Sequence, residues 1–339
     1  MQLKNFILRT LITASIILAA GTGTIAQTPV ETHGRLRVEG NRIVGEHGRP
    51  VQLMGMSHYW SVWGPQKYYN KDVVSWLVED WKVDLARASM AVEINQQGDN
   101  KGWLYNRESQ EKMVEAVIEA AIENGIYVLV DWHTHHVHTE PAKEFFGYMA
   151  EKYGRYPNVI WETFNEPVRQ SWPEIAEYTN EVTSVIRRHS DNLIIAGTRN
   201  WSQFVDEAAD DPLPDKNTAY SLHFYAGTHG SELREKGDYA LSKGIALFIT
   251  EWGTSRADGG RDGTIFPDET REWINWALER DISMANWSLA DLRESSAALS
   301  GGASIQGGWD PETDLSPSGR LVREFIIKIN SKKPYYRKN

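Results

Sequence analysis

Cysteine is missing altogether from the 339 residues. No disulfide can staple this chain, so its stability must come from a core, which a domain of roughly 300 residues can supply. Surplus positive charge is missing too: 36 Lys and Arg stand against 46 Asp and Glu, a formal net charge of −10. Nucleic acid and anionic membrane surfaces are therefore poor partners. Long apolar runs are scarce. One, at 11–20, follows Lys4 and Arg9 and precedes small residues ending in Thr24, Ile25 and Ala26. That is the pattern of a secretory signal peptide cut after Ala26, and the run is short for a membrane span. No Cys follows the cleavage point to carry a lipid. The expectation is a secreted protein, extracellular or periplasmic, with no membrane attachment after cleavage. Losing Lys4 and Arg9 with the leader takes the net charge to about −12. Only the end, SKKPYYRKN (331–339), breaks the acidic trend, and it reads as a short, solvated basic tail.

What fills the chain is an alternation. The apolar runs are VQLMGMS (51–57), VDLARASM (83–90), IYVLVDWH (126–133), NVIWETFNE (158–166), NLIIAGT (192–198), AYSLHFY (219–225), IALFITEWG (245–253) and ISMANWSL (282–289). Short runs of this composition read as buried strands. Between them, SQEKMVEAVIEAAIENG sets Met113, Val114, Val117, Ile118, Ala121 and Ile122 at helical spacing and stops on Gly125. AKEFFGYMAEKYG, PEIAEYTNEVTSVIRRH and ETREWINWALERD repeat the pattern. Eight such pairs in about 300 residues is the arithmetic of a single (β/α)8 TIM barrel over 35–330, not an open doubly wound sheet. No G-x-G-x-x-G turn follows the first run, which removes the main support for a dinucleotide fold, and no Pro/Ser/Thr linker marks a second module. LRVEGNRIVGEHGRP, ahead of the first run, reads as a small hairpin covering the barrel floor.

Chemistry in such a barrel sits where the strands end. The ends supply Arg87, His133, Asn165 with Glu166, His223 with Tyr225, Glu251 with Trp252, and Trp287, a set too polar and aromatic for a packing layer. In NVIWETFNEPV (158–168) a strand stops on an amide and an acid, and Pro167 forces Glu166 toward an extended conformation that aims its side chain. The partner for that acid is Glu251, at the end of the seventh run. Two carboxyl groups facing each other across a barrel mouth are what glycosidic cleavage requires, one to protonate the leaving oxygen and one below the sugar ring.

The motifs RASM, VDWH, WETFNEP, LHFYAGTHG, FITEWGT and ANWSL, in this order from about Val51 to about Phe325, resemble glycoside hydrolase family 5, specifically its bacterial endoglucanases. The resemblance implies that Glu166 is the acid/base and Glu251 the nucleophile. It further implies that Arg87 holds the nucleophile's surroundings, that His133, His223 and Tyr225 form a hydrogen-bonding shell, and that Trp287 is a sugar platform. Physical reasoning agrees. Glu166 should be raised toward roughly 6–7 by burial and a negative partner, while Glu251 must act as a carboxylate beside Arg87 and the Tyr225 hydroxyl. Asn165 can donate to the sugar 2-hydroxyl. The expected activity is endo-β-1,4-glucan hydrolysis with retention, by a monomer needing no cofactor and no metal. The rivals within the class are mannan, mixed-linkage glucan (lichenase) and xyloglucan hydrolysis. A non-catalytic sugar binder is a further rival, which keeping both Glu166 and Glu251 disfavours.

Tryptophan is the other half of the pattern, with 14 copies. Sugar rings stack their C–H faces on aromatic rings. Trp60, Trp201 and Trp287 stand at or just past strand ends as platform candidates, Trp63 less so, while Trp76, Trp81, Trp273 and Trp276 fall in helix patterns and read as core. DWHTHHVHTE packs His133, His135, His136 and His138 together. That density raises a different class, a metal-dependent barrel hydrolase. It follows the third run rather than the first, and the eighth ends in Trp287 and Ser288 with no aspartate ligand. His133 therefore reads as an active-site hydrogen-bonding group, and the other three as loop histidines near solvent. Where several family members carry a lysine just after the eighth-strand tryptophan, Leu292 and Arg293 stand here, with Arg293 a possible substitute. DGGRDG (258–263) and SGGASIQGG (300–308) have no phosphate-binding context and read as mobile loops.

Overall fold

A computed structural model describes residues 27–336. The expected leader, 1–26, and the last three residues of the tail lie outside the described residues. Two short strands, β1 (Arg37–Glu39) and β2 (Arg42–Val44), form the antiparallel hairpin foreseen ahead of the first run. Eight parallel strands follow: β3 (Met54–His58), β4 (Leu85–Ala91), β5 (Tyr127–His133), β6 (Val159–Glu162), β7 (Ile194–Ala196), β8 (Thr218–Tyr225), β9 (Leu247–Gly253) and β10 (Ser283–Leu289). They close into one barrel, β10 pairing with β3. Helices wrap the outside, among them Arg107–Asn124, Thr139–Tyr153, Trp172–Ile186, Pro267–Leu278 and Pro317–Asn330. Gly125 closes the first of these at φ 65°, a left-handed conformation that a side chain would oppose.

Alternation along the strands layers the interior. Leu53, Leu85, Leu129, Ile160, Ile195, Ala219 and Phe248 pack together at the floor, sealed from below by Leu36 and Ile43 of the hairpin segment. Two residues further along the same strands, side chains of the same face are Arg87, Asp131, Glu162 and Ser221, all buried. The apolar plug thus carries a polar layer on its upper side.

The fourth barrel strand is shorter than the sequence reading. β6 leaves the ladder after Glu162, yet the chain to Glu166 stays tied to its neighbours through Thr163 N–H to Ile195 O (3.0 Å), Asn165 N–H to Trp132 O (3.3 Å) and Glu166 N–H to Thr134 O (3.2 Å). Pro167 has no N–H and cannot continue a ladder. Gly197 lets this segment come close, since a Cβ there would sit 2.2 Å from Phe164 O.

The solvated basic tail is corrected as far as it is described. Pro334–Tyr336 form a 3-10 turn, Lys333 Nζ binds the buried Asp84 carboxylate and Gln52 O, and Tyr335 donates to Asp84 Oδ2 at 3.0 Å. Asp84 also accepts from Met54 N–H at 2.6 Å, so a buried charge on the barrel floor needs this cation. Lys333→Ala is expected to cost about 2–3 kcal/mol and lower Tm by roughly 5 °C with kcat unchanged. An unaltered melting curve would mean that the docked tail contributes nothing.

Candidate active site

Arg87 is fully buried at the centre of the polar layer. Its Nε donates to Glu162 Oε2 (2.8 Å), Nη1 to Glu251 Oε2 (3.0 Å) and Nη2 to Asn165 Oδ1 (2.6 Å), and Nη2 also forms an ion pair with Asp131 Oδ2 (2.9 Å). One guanidinium thus ties β4 to β5, β6, β9 and the segment carrying Glu166. Three carboxyls around one cation cannot all stay charged in a buried site. Burial pushes Asp131 up to about 7, and raises Glu162, against the pull of Arg87 on both. Arg87 itself is raised: burial opposes its charge, but Asp131, Glu162 and Glu251 outweigh it.

Glu251 owes its aim to an irregularity. Ser221 pairs with Phe248 but His223 pairs with Glu251, so β9 carries one extra residue between these rungs. A bulge of this kind re-aims side chains. Consecutive residues both turn inward: Thr250 Oγ1 meets His223 Nε2 at 2.8 Å and Ser221 Oγ at 2.6 Å, while Glu251 reaches Arg87. Tyr225 O–H donates to the other Glu251 oxygen at 2.7 Å. Burial and then the Glu251 charge raise the Tyr225 phenol well above its ordinary value, so it stays a donor. Gly253 makes room, because a Cβ there would lie 2.4 Å from the Tyr225 ring.

Glu166 is gripped on both oxygens. His223 Nδ1 lies 2.9 Å from Oε1 and His135 Nε2 lies 3.1 Å from Oε2. This refines one expectation and overturns another. His135 is a loop residue open to solvent, as foreseen, but it is not idle there, for it binds Glu166 directly and lines the cleft. Glu166 is not raised: burial pushes it up as foreseen, but the hydrogen bonds and charges of the two imidazoles outweigh burial and hold it below the usual carboxylate range. The histidines move the opposite way. Burial lowers both, Glu166 more than compensates, and both end above the ordinary histidine value. The three groups hold their protons as one unit.

The other foreseen residues gather around this core. Asn165 Oδ1 accepts from Arg87, and its buried Nδ2 has no partner among the described residues, leaving a donor for a sugar hydroxyl. His133 is pushed down to about 3, by burial and then by Arg87, so it is a neutral imidazole. Its Nδ1 sits 2.6 Å from Asp131 Oδ2, and its ring stacks on Trp287 at 5.1 Å. Trp60 stands edge-on to His133 at 4.1 Å and lines the cleft. Trp287 is only 4% exposed, so it offers sugar a narrow strip of its ring. Trp63 lies against Trp60 at 5.6 Å and does not line the cavities at the carboxylates. Trp81, Trp273 and Trp276 are buried in the core and Trp76 packs against it, as the helix patterns implied.

Asp131 and Glu162 escaped the sequence reading, and so did two groups nearer the surface. Tyr59 and Glu294 line the cleft beside Trp287, whose Nε1 donates to Glu294 Oε1 at 3.2 Å. Glu294 is pushed up to about 7 by burial, with Glu251 adding to the rise. The 258–263 stretch is corrected in part, because Asp258 and Gly259 form cleft wall. Arg293 is no stand-in for a lysine. Its Nε donates to Arg261 O at 3.3 Å, and it lines a separate cavity with Arg256 and Arg261.

Two cavities, of about 580 and 210 Å³, adjoin at Glu166 and Glu251. The smaller holds Trp60, His133 and Trp287; the larger holds Trp201, Gln203 and His229. Trp201 is 43% exposed and sits among three consecutive left-handed residues, Asn200 (φ 58°), Trp201 (φ 56°) and Ser202 (φ 54°). Such backbone costs roughly 1–2 kcal/mol per residue. Trp201 N–H bonding Pro167 O (3.0 Å) and Ser202 Oγ bonding Asn165 O (2.8 Å) hold it in place. The candidate platform is therefore braced against the loop that carries Glu166. Trp201→Ala should raise KM for cellopentaose roughly 3- to 10-fold with little change in kcat. Steady-state kinetics decide it, and an unchanged KM removes Trp201 from sugar binding.

Glu166, His223 and Glu251 are, among the described residues, the one set of three potential ligand atoms within 4.8 Å of one another. The four clustered histidines do not converge. His133 goes to Asp131, His135 to Glu166, and His136 (2.9 Å) and His138 (3.8 Å) to Glu93. The oxygens of Glu166 and Glu251 face N–H and O–H donors from His135, His223, Arg87 and Tyr225, which a cation would have to displace. These residues suit a donor-lined carboxylate pair better than a metal centre.

A closed parallel barrel with two facing carboxyls above its strands, one set among donors and one gripped by imidazoles, defines a glycoside hydrolase. The chain belongs to glycosyl hydrolase family 5 and, within it, to the endoglucanases: the family described as "Cellulase (glycosyl hydrolase family 5)" matches residues 44–292. Endoglucanase N of Pectobacterium atrosepticum is 44% identical over 335 residues, covering 95% of this chain and 73% of that protein. Endoglucanase A of Evansella cellulosilytica is 47% identical over 296 residues, covering 85% of this chain and 58% of that one. Among solved structures, a protein from Cytophaga hutchinsonii superposes with a TM-score of 0.86 at 45% identity, covering 90% of this chain and 98% of that chain. The catalytic domain of Thermobifida fusca endoglucanase Cel5A, a variant in complex with cellotetraose, gives 0.81 at 32% identity, covering 88% and 99%.

Proposed function

We propose that the protein is an exported, monomeric, retaining endo-β-1,4-glucanase that cleaves internal bonds of cellulose-like chains by double displacement. The observation that carries this reading is the separation of the carboxylates, with oxygens of Glu166 and Glu251 within 4.8 Å. Retaining enzymes hold their carboxyl groups about 5–5.5 Å apart, whereas inverting ones leave roughly 6.5–9.5 Å for a water. In the first step a Glu251 oxygen bonds to the anomeric carbon while Glu166 gives its proton to the departing glycosidic oxygen. In the second, Glu166 takes a proton from water, the water oxygen bonds to the same carbon, and the bond to Glu251 breaks. Arg87 and Tyr225 fix the two Glu251 oxygens for both displacements. The unpartnered Asn165 amide N–H is available to the sugar 2-hydroxyl, whose hydrogen bond strengthens as the oxocarbenium ion develops.

The substrate reading rests on the endoglucanase relatives and on the cellotetraose bound by the Thermobifida enzyme. Cavities with aromatic walls meeting at the carboxylates support cutting within a chain. Export rests on the leader-like 1–26 segment. The test is the viscosity of hydroxyethylcellulose against reducing ends released, run beside mannan, lichenan and xyloglucan. Viscosity should collapse early on the β-1,4-glucan, and faster hydrolysis of one of the other polymers would move the assignment to that glycan.

The imidazole–carboxyl unit also sets the pH range. Glycosylation needs a proton on Glu166, drawn from a unit whose histidines are raised above their ordinary value near 6.5. Protons are present below those raised values and lost as pH climbs through them. The alkaline limb of kcat/KM on cellopentaose is therefore expected above pH 6.5. A limb at about pH 4.3, where an unassisted glutamic acid titrates, would contradict this unit.

A further inference from the structure

We infer that His135 is a positioning residue for the acid/base, holding the cleft-side oxygen of Glu166 so that the carboxyl is oriented toward the leaving oxygen; this rests on the acid/base reading of Glu166. The two imidazoles that grip Glu166 are not equivalent. His223 is buried, and its far nitrogen is anchored by Thr250, which is anchored in turn by Ser221. It fixes Oε1 from inside the barrel. His135 stands on the other side, its side chain 36% exposed against 13% for Glu166, and it lines both cavities. It fixes Oε2 from the cleft.

A carboxyl held at one oxygen can still turn about its last torsion, and one held at both cannot. Misplacement of a reacting group by even 1 Å costs rate steeply. The backbone builds this opposition. Glu166 N–H bonds Thr134 O at 3.2 Å, so the residue after Thr134 faces the side chain of Glu166. Gln170 Nε2 reaches back to His135 O at 3.4 Å, and the Trp60 ring stands edge-on to the His135 imidazole at 5.7 Å. The Nε2–H donates to a carboxyl oxygen, and this bond strengthens as Glu166 gives up its proton and becomes a carboxylate.

The role predicts a dependence on the leaving group. Aryl cellobiosides with a 2,4-dinitrophenyl group depart without protonation, whereas phenyl cellobioside and cellopentaose need the acid. His135→Ala should lower kcat/KM, which reports glycosylation, about 10- to 100-fold on phenyl cellobioside and cellopentaose. On the dinitrophenyl substrate the loss should stay within about threefold. His135→Gln, which keeps an amide N–H donor, should recover part of the loss and gives a second reading if the alanine variant folds poorly. Equal losses on all substrates, or no loss on any, would overturn the positioning role, because a merely structural residue would not discriminate leaving groups. Glu166→Ala is the control. If it shows the selectivity and His135→Ala does not, only this inference falls; if it shows none, the acid/base reading falls and takes the inference with it.

Discussion

Replacing Glu251 by glutamine is expected to lower kcat on cellopentaose by on the order of 10⁵-fold while the protein stays folded. The reasoning starts from the bulge that turns both Thr250 and Glu251 inward. Glutamine has nearly the volume of glutamate and keeps an oxygen that can accept from Arg87 or Tyr225, so packing is preserved. What disappears is the anionic oxygen that bonds to the anomeric carbon. Arg87 keeps its contacts with Glu162, Asp131 and Asn165, and losing the Glu251 charge leaves the other two carboxyls freer to ionise beside it. Binding of cellotetraose, measured by calorimetry, should persist while turnover vanishes. A loss of less than tenfold would show that Glu251 forms no covalent bond; binding of cellotetraose with no turnover even by the wild-type protein would make a sugar-binding barrel the better account.

Arg87 is where the second large effect is expected. Arg87→Met should abolish activity and destabilise the fold by about 3–5 kcal/mol, lowering Tm by roughly 6–10 °C. The arginine is the shared cation for Asp131, Glu162 and Glu251, and removing it leaves three carboxyls facing one another without a counterion. The penalty should depend on pH with a definite sign. Asp131 and Glu162 are already raised by burial in spite of Arg87, and each rises further without it. A carboxyl whose folded value exceeds its unfolded one favours the folded state at low pH and loses that contribution as pH rises. The variant should therefore lie closer to wild-type stability at pH 5 than at pH 8. Arg87→Lys keeps the charge but has no planar fork to reach four partners, so it should recover stability better than activity. Thermal melts at both pH values with matched kinetics check all three statements; a pH-independent deficit would contradict the shared-cation picture.

The barrel was legible because its strands are buried on both faces. Such strands read as near-continuous apolar runs, and eight of them separated by amphipathic stretches leave few alternatives. The central pair was legible because Glu166 precedes a proline and Glu251 is an acid close to the end of an otherwise apolar strand. Asp131 and Glu162 carried a usable signal that went unread: each lies two residues beyond an inward floor residue, Leu129 and Ile160. His135 carried only the crowding of four histidines, which does not say which of them meets Glu166. It stands past the end of β5, where the two-residue period has stopped, and only the backbone bond between Thr134 and Glu166 brings it opposite the acid. The same holds for Glu294, which reaches Trp287 by way of a loop. The direction of the Glu166 shift was misread for the same reason, since burial could be foreseen from sequence and two imidazole donors could not. The tail was misread because the demand for Lys333 comes from Asp84, 249 residues earlier.

The central claim is that Glu166 and Glu251 act in two displacements at one carbon, and stereochemistry tests it most directly. Cellopentaose is mixed with purified enzyme and the anomeric protons of the new reducing ends are followed by NMR before mutarotation. The β-anomer appearing first is the predicted result. The α-anomer appearing first would mean a single displacement by water, with no bond to Glu251.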